Sequence, residues 1–252
     1  SYALIASALI IRLIYSIIFS EYDYFFFSIA GFTVMFILGN LLYHTKQWGG
    51  GDAKLLMGLG AALATRPSYL PESKIPFIVT LFAFILIAGA IYGLLWSLYL
   101  IFHDFKSFKI EFKRVIKARS LIILKILSII AAILFITLIF IIPETSMKIT
   151  FSFFVLIILL YPYLYSAAKS LEHLHFYIYM PTHRLVEGDW IAKDVKKNNK
   201  IILRTKDFIT KKDIKELKES NIKQVLVKDG IPFVPPFLIG TILALTLGNP
   251  FI

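Results

Sequence analysis

Seven apolar stretches constrain this 252-residue chain more than any single residue does. They cover residues 2–19, 24–43, 53–65, 76–102, 121–142, 149–168 and 232–249. Several reach the roughly 20 residues that a helix needs to cross a bilayer core of about 30 Å. Within such a core only helices and closed barrels keep every backbone polar group bonded. Hydrophobic residues make up 58% of the chain, above the usual share of about half in soluble domains. The expected fold is an all-α polytopic membrane protein with about seven spans. The third stretch is short, and a short segment at membrane depth is tolerated where it is buried in protein or lines a wet cavity. That suits a helix carrying a site better than a passive anchor.

The connecting segments set the orientation. Residues 20–23 are short and acidic, whereas His44, Lys46 and Lys54 make residues 44–54 basic. The loop 103–120 places Lys106, Lys109, Lys113, Arg114, Lys117 and Arg119 against Asp104 and Glu111. The long segment 169–230 is strongly basic. Alternation puts these three basic segments on one side, and the positive-inside rule makes that side the cytoplasm. The net charge of +11 therefore reports topology rather than a nucleic-acid partner. The chain has no cysteine, which excludes disulfides, cysteine metal sites and thiol nucleophiles. Residues 2–19 lack the basic n-region and small-residue cleavage site of a signal peptide. The expectation is that the first part of the protein precedes Ser1.

Three segments follow: a helical membrane core over 1–168, a basic lobe over 169–231 and a last span within 232–252. The lobe reads as small and α+β. Residues 189–191, 201–204 and 224–227 look like strands, and Thr210-Lys211-Lys212-Asp213 resembles a capping box ahead of a helix over 214–219. Its lysines suit anionic headgroups, and equally suit a solvated face that only fixes topology.

The candidate site is Trp48-Gly49-Gly50-Gly51-Asp52-Ala53-Lys54, between two apolar stretches. Glycine opens unusual backbone conformations and lets another chain approach closely. Burial at a membrane boundary raises a carboxyl pKa, which tunes it for acid/base chemistry with a second carboxyl. The plain alternative is turn chemistry, with Asp52 capping the helix that follows. His173, His175 and His183 lack the spacing and companions of a metal site, so none is expected. No serine elbow or P-loop is present. Tyr161, Tyr163, Tyr165, Tyr177 and Tyr179 read as an interfacial aromatic belt.

Gly49-Gly50-Gly51-Asp52 resembles the Gly-x-Gly-Asp membrane aspartic peptidases, most closely the archaeal prepilin and preflagellin peptidases. Ile29-Ala30-Gly31-Phe32, Phe36-Ile37-Leu38-Gly39 and Asp52-Ala53-Lys54-Leu55-Leu56-Met57-Gly58 extend the resemblance. Val186-Glu187-Gly188-Asp189-Trp190-Ile191 and Gly230-Ile231-Pro232-Phe233-Val234-Pro235 resemble a C-terminal module of archaeal members. The resemblance implies an aspartic endopeptidase of the cell membrane with no metal or organic cofactor. Its partners would be pilin-like or flagellin-like precursors, whose basic leaders it removes on the cytoplasmic side, and membrane lipid. Asp52 matches the second of the family's two catalytic aspartates, and Gly49 and Gly51 match its motif glycines. The first aspartate falls, by the family's pattern, shortly before Ser1, with Asp104 as the in-chain stand-in. Asp104 equally reads as a loop carboxylate balancing Lys106, and Asp189 is a weaker candidate. A presenilin-like intramembrane protease shares the motif, but no Pro-Ala-Leu run is present and Tyr22-Asp23 matches only trivially. A transporter or scaffold with an ion-site carboxylate is the rival outside the peptidases.

Overall fold

The computed structural model describes residues 2–45, 47–197, 200–205 and 208–249, with Lys200 by its backbone alone; Lys46, counted above in a basic loop, lies outside them. The chain folds as α1 (Tyr2–Phe19), α2 (Asp23–His44), α3 (Gly50–Ala62), α4 (Phe77–His103), α5 (Phe105–Val115), α6 (Arg119–Ile141) and α7 (Thr145–His175). There follow β1 (Tyr177–Pro181), β2 (Trp190–Ile191), β3 (Val195–Lys197), β4 (Lys200–Leu203), α8 (Lys211–Glu219), β5 (Gln224–Lys228) and α9 (Val234–Leu247). These form two compact units, Ser1–Leu95 with Ile231–Ile252, and Trp96–Gly230.

Five helices, α1, α2, α4, α6 and α7, are long and apolar enough to cross a bilayer. The two other predicted spans also form helices, α3 of 13 residues and α9 of 14. At 1.5 Å per residue they reach only about 20 Å, short of a bilayer core. The chain is thus a polytopic helical protein with a small α+β lobe.

In the first unit α3 lies antiparallel against α2 at backbone range. Between helices in lipid no hydrophobic force operates, so close van der Waals fit and hydrogen bonds hold the pair. A methyl group on Gly60 would sit 2.6 Å from the Gly31 carbonyl oxygen, and one on Gly39 3.2 Å from that of Ala53. Ser28 Oγ donates to the Ala61 carbonyl at 2.6 Å, locking the same crossing. The early end of α3 leaves carbonyls that need donors. Arg12, in the apolar run of α1, supplies them: Nη2 donates to the Ala62 carbonyl at 2.6 Å and Nη1 to Thr65 Oγ1 at 2.8 Å. Its guanidinium also lies 5.9 Å from the centre of the Tyr24 ring.

The segment 63–76 closes this end of the unit. The Arg66 guanidinium donates to the Leu70 carbonyl, and Asn249 Nδ2 donates to Ser73 Oγ at 2.6 Å. α9 arrives there after packing Gly240 onto α4, where a methyl would meet the Ile85 Cα at 2.6 Å. Met35, Trp48, Leu56, Leu81, Ile85 and Phe237 form the buried core.

In the second unit α6 and α7 pair through Phe135, whose ring lies 5.6 Å from Phe151 and 6.0 Å from Phe154. Residues 103–120, expected as a loop, contain α5 instead. Phe108, Phe112 and Val115 recur at helical spacing beneath the lysines, so the segment is amphipathic. The lobe hangs from the end of α7 by Glu172, which accepts from Lys169 at 2.9 Å, Lys228 at 2.6 Å and the Tyr177 hydroxyl at 3.1 Å. Its sheet runs β1-β5-β2, with Tyr177 opposite Lys228 and Pro181 opposite Gln224, and β3 pairs with β4 separately. The expected strands appear as β2, β4 and β5, and Thr210 and Asp213 do cap α8. Tyr177 and Tyr179, read as an aromatic belt, belong to β1.

Two outcomes follow from the α1–α2–α3 contacts. Gly60→Leu forces the crossing apart and is expected to abolish a folded, monodisperse protein in detergent. Arg12→Met strips two charged hydrogen bonds and is expected to destabilise the unit by about 2 kcal/mol, read from its thermal unfolding midpoint.

Candidate active site

Gly49 caps α3 in extended conformation (φ −71°, ψ 159°), and Gly50, Gly51 and Asp52 form its first turn. The Gly49 N–H donates to Asp52 Oδ2 at 3.3 Å. Asp52 therefore performs the reach-back half of a capping box with one carboxylate oxygen. The plain reading of the motif is true as far as that oxygen goes.

The glycines are a different matter. Among the described residues only Gly188 and Gly248 have positive φ for glycine, so the run 49–51 needs no left-handed backbone. A methyl on Gly49 would lie 3.5 Å from Asp52 Oδ2, and one on Gly50 would rest 3.4 Å from the Tyr43 ring. A methyl on Gly51 would meet nothing within 4 Å. Glycine within a helix costs about 1 kcal/mol relative to alanine. At Gly51 the fold takes no packing advantage in exchange. What the residue leaves is exposed main chain one position before Asp52.

Backbone hydrogen bonds and ring packing hold Gln47 and Trp48 ahead of this motif. The Leu42 carbonyl accepts from the N–H of Gln47 at 2.9 Å and of Trp48 at 3.2 Å. Trp48 is only 7% exposed, and its ring centre lies 5.2 Å from each of Phe233 and Phe237. Phe233 in turn presses on Gly89, where its ring leaves no room for a side chain. Trp48, next to Gly49, thus meets Phe233 of the C-terminal resemblance although the two are far apart in the chain. Lys54 points the other way, its Nζ 4.6 Å from the centre of the Tyr2 ring.

Asp52 is partly buried. Desolvation raises its pKa above the ordinary carboxyl value, and the Gly49 N–H opposes part of that rise. The other acidic residues of this unit lie elsewhere. Asp23 starts α2, whose 22 residues run about 33 Å to the end beside α3's start, and Glu21 precedes it. Glu72 neighbours Ser73, which meets Asn249 beyond the far end of α9. Among the described residues of the first unit, Asp52 is the one carboxylate at its end.

The remaining candidates belong to the second unit. Asp104 caps α5, its Oδ1 accepting from the Ser107 N–H at 3.4 Å, and hydrogen bonding to Ser107 holds its pKa below the usual range. Asp189 accepts from the Val186 N–H at 2.7 Å, and burial raises its pKa. His173 Nδ1 lies 2.9 Å from Glu111 Oε1, and His183 sits in the short turn Thr182–Arg184. Among the described residues, no three His, Cys, Asp or Glu side chains gather as a metal-holding group.

Residues 1–98, which contain Asp52 and most of the helices around it, match the model of the type IV leader peptidase family. No curated protein and no solved structure matches the chain.

Gly51→Ala is expected to leave the thermal unfolding midpoint unchanged or slightly higher, because nothing folded lies against the new methyl. For Asp52 the folded state binds its proton more tightly than the unfolded chain does. Its contribution to stability is therefore lost as pH rises from about 4 through the raised folded value. Asp52→Asn keeps an acceptor for Gly49 and removes the buried charge. At neutral pH it is expected to unfold at the same temperature as the parent or above it.

Proposed function

We propose that this chain is an aspartic prepilin peptidase with Asp52 as a catalytic carboxyl; the match of residues 1–98 to the type IV leader peptidase family, whose members are such enzymes, supports the reading. The observation that carries the proposal is its setting: a partly buried carboxyl at the start of a short helix, beside exposed glycine backbone at Gly49 and Gly51. An extended peptide can approach main chain that carries no side chain. Hydrolysis needs one carboxylate to take a proton from the attacking water. It needs a second, protonated carboxyl to polarise the scissile carbonyl and then protonate the leaving amine. Asp52 has one oxygen engaged by the Gly49 N–H, which fixes the side chain and leaves the other oxygen for this work.

The partner carboxyl is not among the other described acidic side chains of the unit that holds Asp52, since those lie toward its opposite end. Tyr22-Asp23, the presenilin-like match, sits at that opposite end and cannot face Asp52. The substrates are pilin-like or flagellin-like precursors with a basic leader, cut at the cytoplasmic edge of the membrane. The positive-inside distribution of Lys and Arg in the loops supports that side. The positive loops cannot attract a basic leader, so recognition rests on main-chain contact and on the apolar segment that follows the cut.

A cleavage assay in membranes tests this, with a co-expressed precursor bearing a basic leader. Asp52→Asn is expected to reduce processing by at least about 100-fold, the scale of one lost acid/base group. Asp104→Asn is expected to process normally. Unchanged processing by Asp52→Asn overturns the assignment and favours an ion site or scaffold. Loss with both variants places the partner at Asp104.

A further inference from the structure

The amphipathic helix α5 has no part in the site, and its outward face asks for a partner. It joins α4, ending at His103, to α6, beginning at Arg119, and both are long enough to cross a bilayer. It therefore begins and ends next to helix ends that meet the membrane boundary. α7 fixes its rotation. Glu111 Oε1 meets His173 Nδ1 at 2.9 Å in the last turn of α7, and Val115 is buried.

With that face turned inward, the helical period sends Lys106, Lys109 and Lys113 outward as one exposed stripe. Two large apolar side chains flank it, Phe105 at 54% exposure and Ile110 at 71%. A cationic stripe bordered by exposed apolar groups is the make-up of a helix lying in a lipid interface. The lysines stand in a row about 10 Å long instead of converging on a point, so they match a field of headgroups better than one small anion.

We propose that α5 is an interfacial helix that binds anionic phospholipid, with Lys106, Lys109 and Lys113 among the headgroups and Phe105 and Ile110 reaching toward the acyl chains. Anionic lipid attracts lysines within about a Debye length of its surface, which is the range that a helix at the boundary occupies. The proposal stands apart from the peptidase reading, because α5 and Asp52 belong to different units.

The absence of native cysteine makes the test direct. Ile110→Cys in the full chain is labelled with an environment-sensitive fluorophore and placed in nanodiscs of phosphatidylcholine, alone or mixed with phosphatidylglycerol. The expected result is a blue shift of emission in the anionic discs, lost in K106Q/K109Q/K113Q and kept in the corresponding triple Arg variant. Equal emission in the two lipids overturns the proposal, as does a shift that survives the triple Gln change. Glycerol phosphate added to neutral discs is expected to do nothing. If it reproduces the shift, the stripe is a small-anion site and the membrane assignment fails.

Discussion

The first unit depends on how a helix can stop inside a membrane-depth bundle. Lipid offers no donor to the last carbonyls of α3, and an unsatisfied polar group there costs several kcal/mol. Arg12 resolves this by spending its guanidinium on the Ala62 carbonyl and the Thr65 hydroxyl. Because α3 can end at Ala62, the segment 63–76 can turn back and receive the end of α9. The glycine contacts between α2 and α3 then hold this short helix at backbone range. Asp52 at its start is followed at once by Ala53, packed at backbone range on Gly39, and then by the buried Leu56.

Much of the fold was legible because membrane helices are written in long apolar runs. The segments containing α1, α2, α4, α6 and α7 are readable from hydropathy alone. The small lobe was legible where local chemistry is strong, as in the Thr210–Asp213 capping box and the β-branched β5. α5 was missed because counting charge in residues 103–120 hides the spacing of Phe108, Phe112 and Val115 between the lysines. Arg12 was passed over because a single charge barely lowers the hydropathy of an 18-residue helix. A cation in mid-span is itself a signal, since it must find partners there. β1 looked like part of a tyrosine belt because Tyr177 and Tyr179 make one face of the strand aromatic, while Ile178 and Met180 take the other.

At the site, the sequence identified Asp52, Gly49 and Gly51 as candidates but not what the glycines are free of. That Gly51 touches nothing, while Gly31 and Gly60 touch each other's backbone, is invisible in a string where all three are the same letter. Glycine has two uses here, close packing inside the bundle and bare main chain outside it. Only the fold separates them.

The stacking of Trp48 on Phe233 and Phe237 carries a consequence for biosynthesis. Trp48 is translated 185 residues before Phe233, the first of its two aromatic partners (233 − 48). While the ribosome works through α5, α6, α7 and the lobe, the indole has neither partner ring. The turn before Gly49 then lacks its backing until α9 inserts beside α4. The order of synthesis thus leaves the Asp52 segment without this backing while residues 49–232 are made, and α9 supplies it.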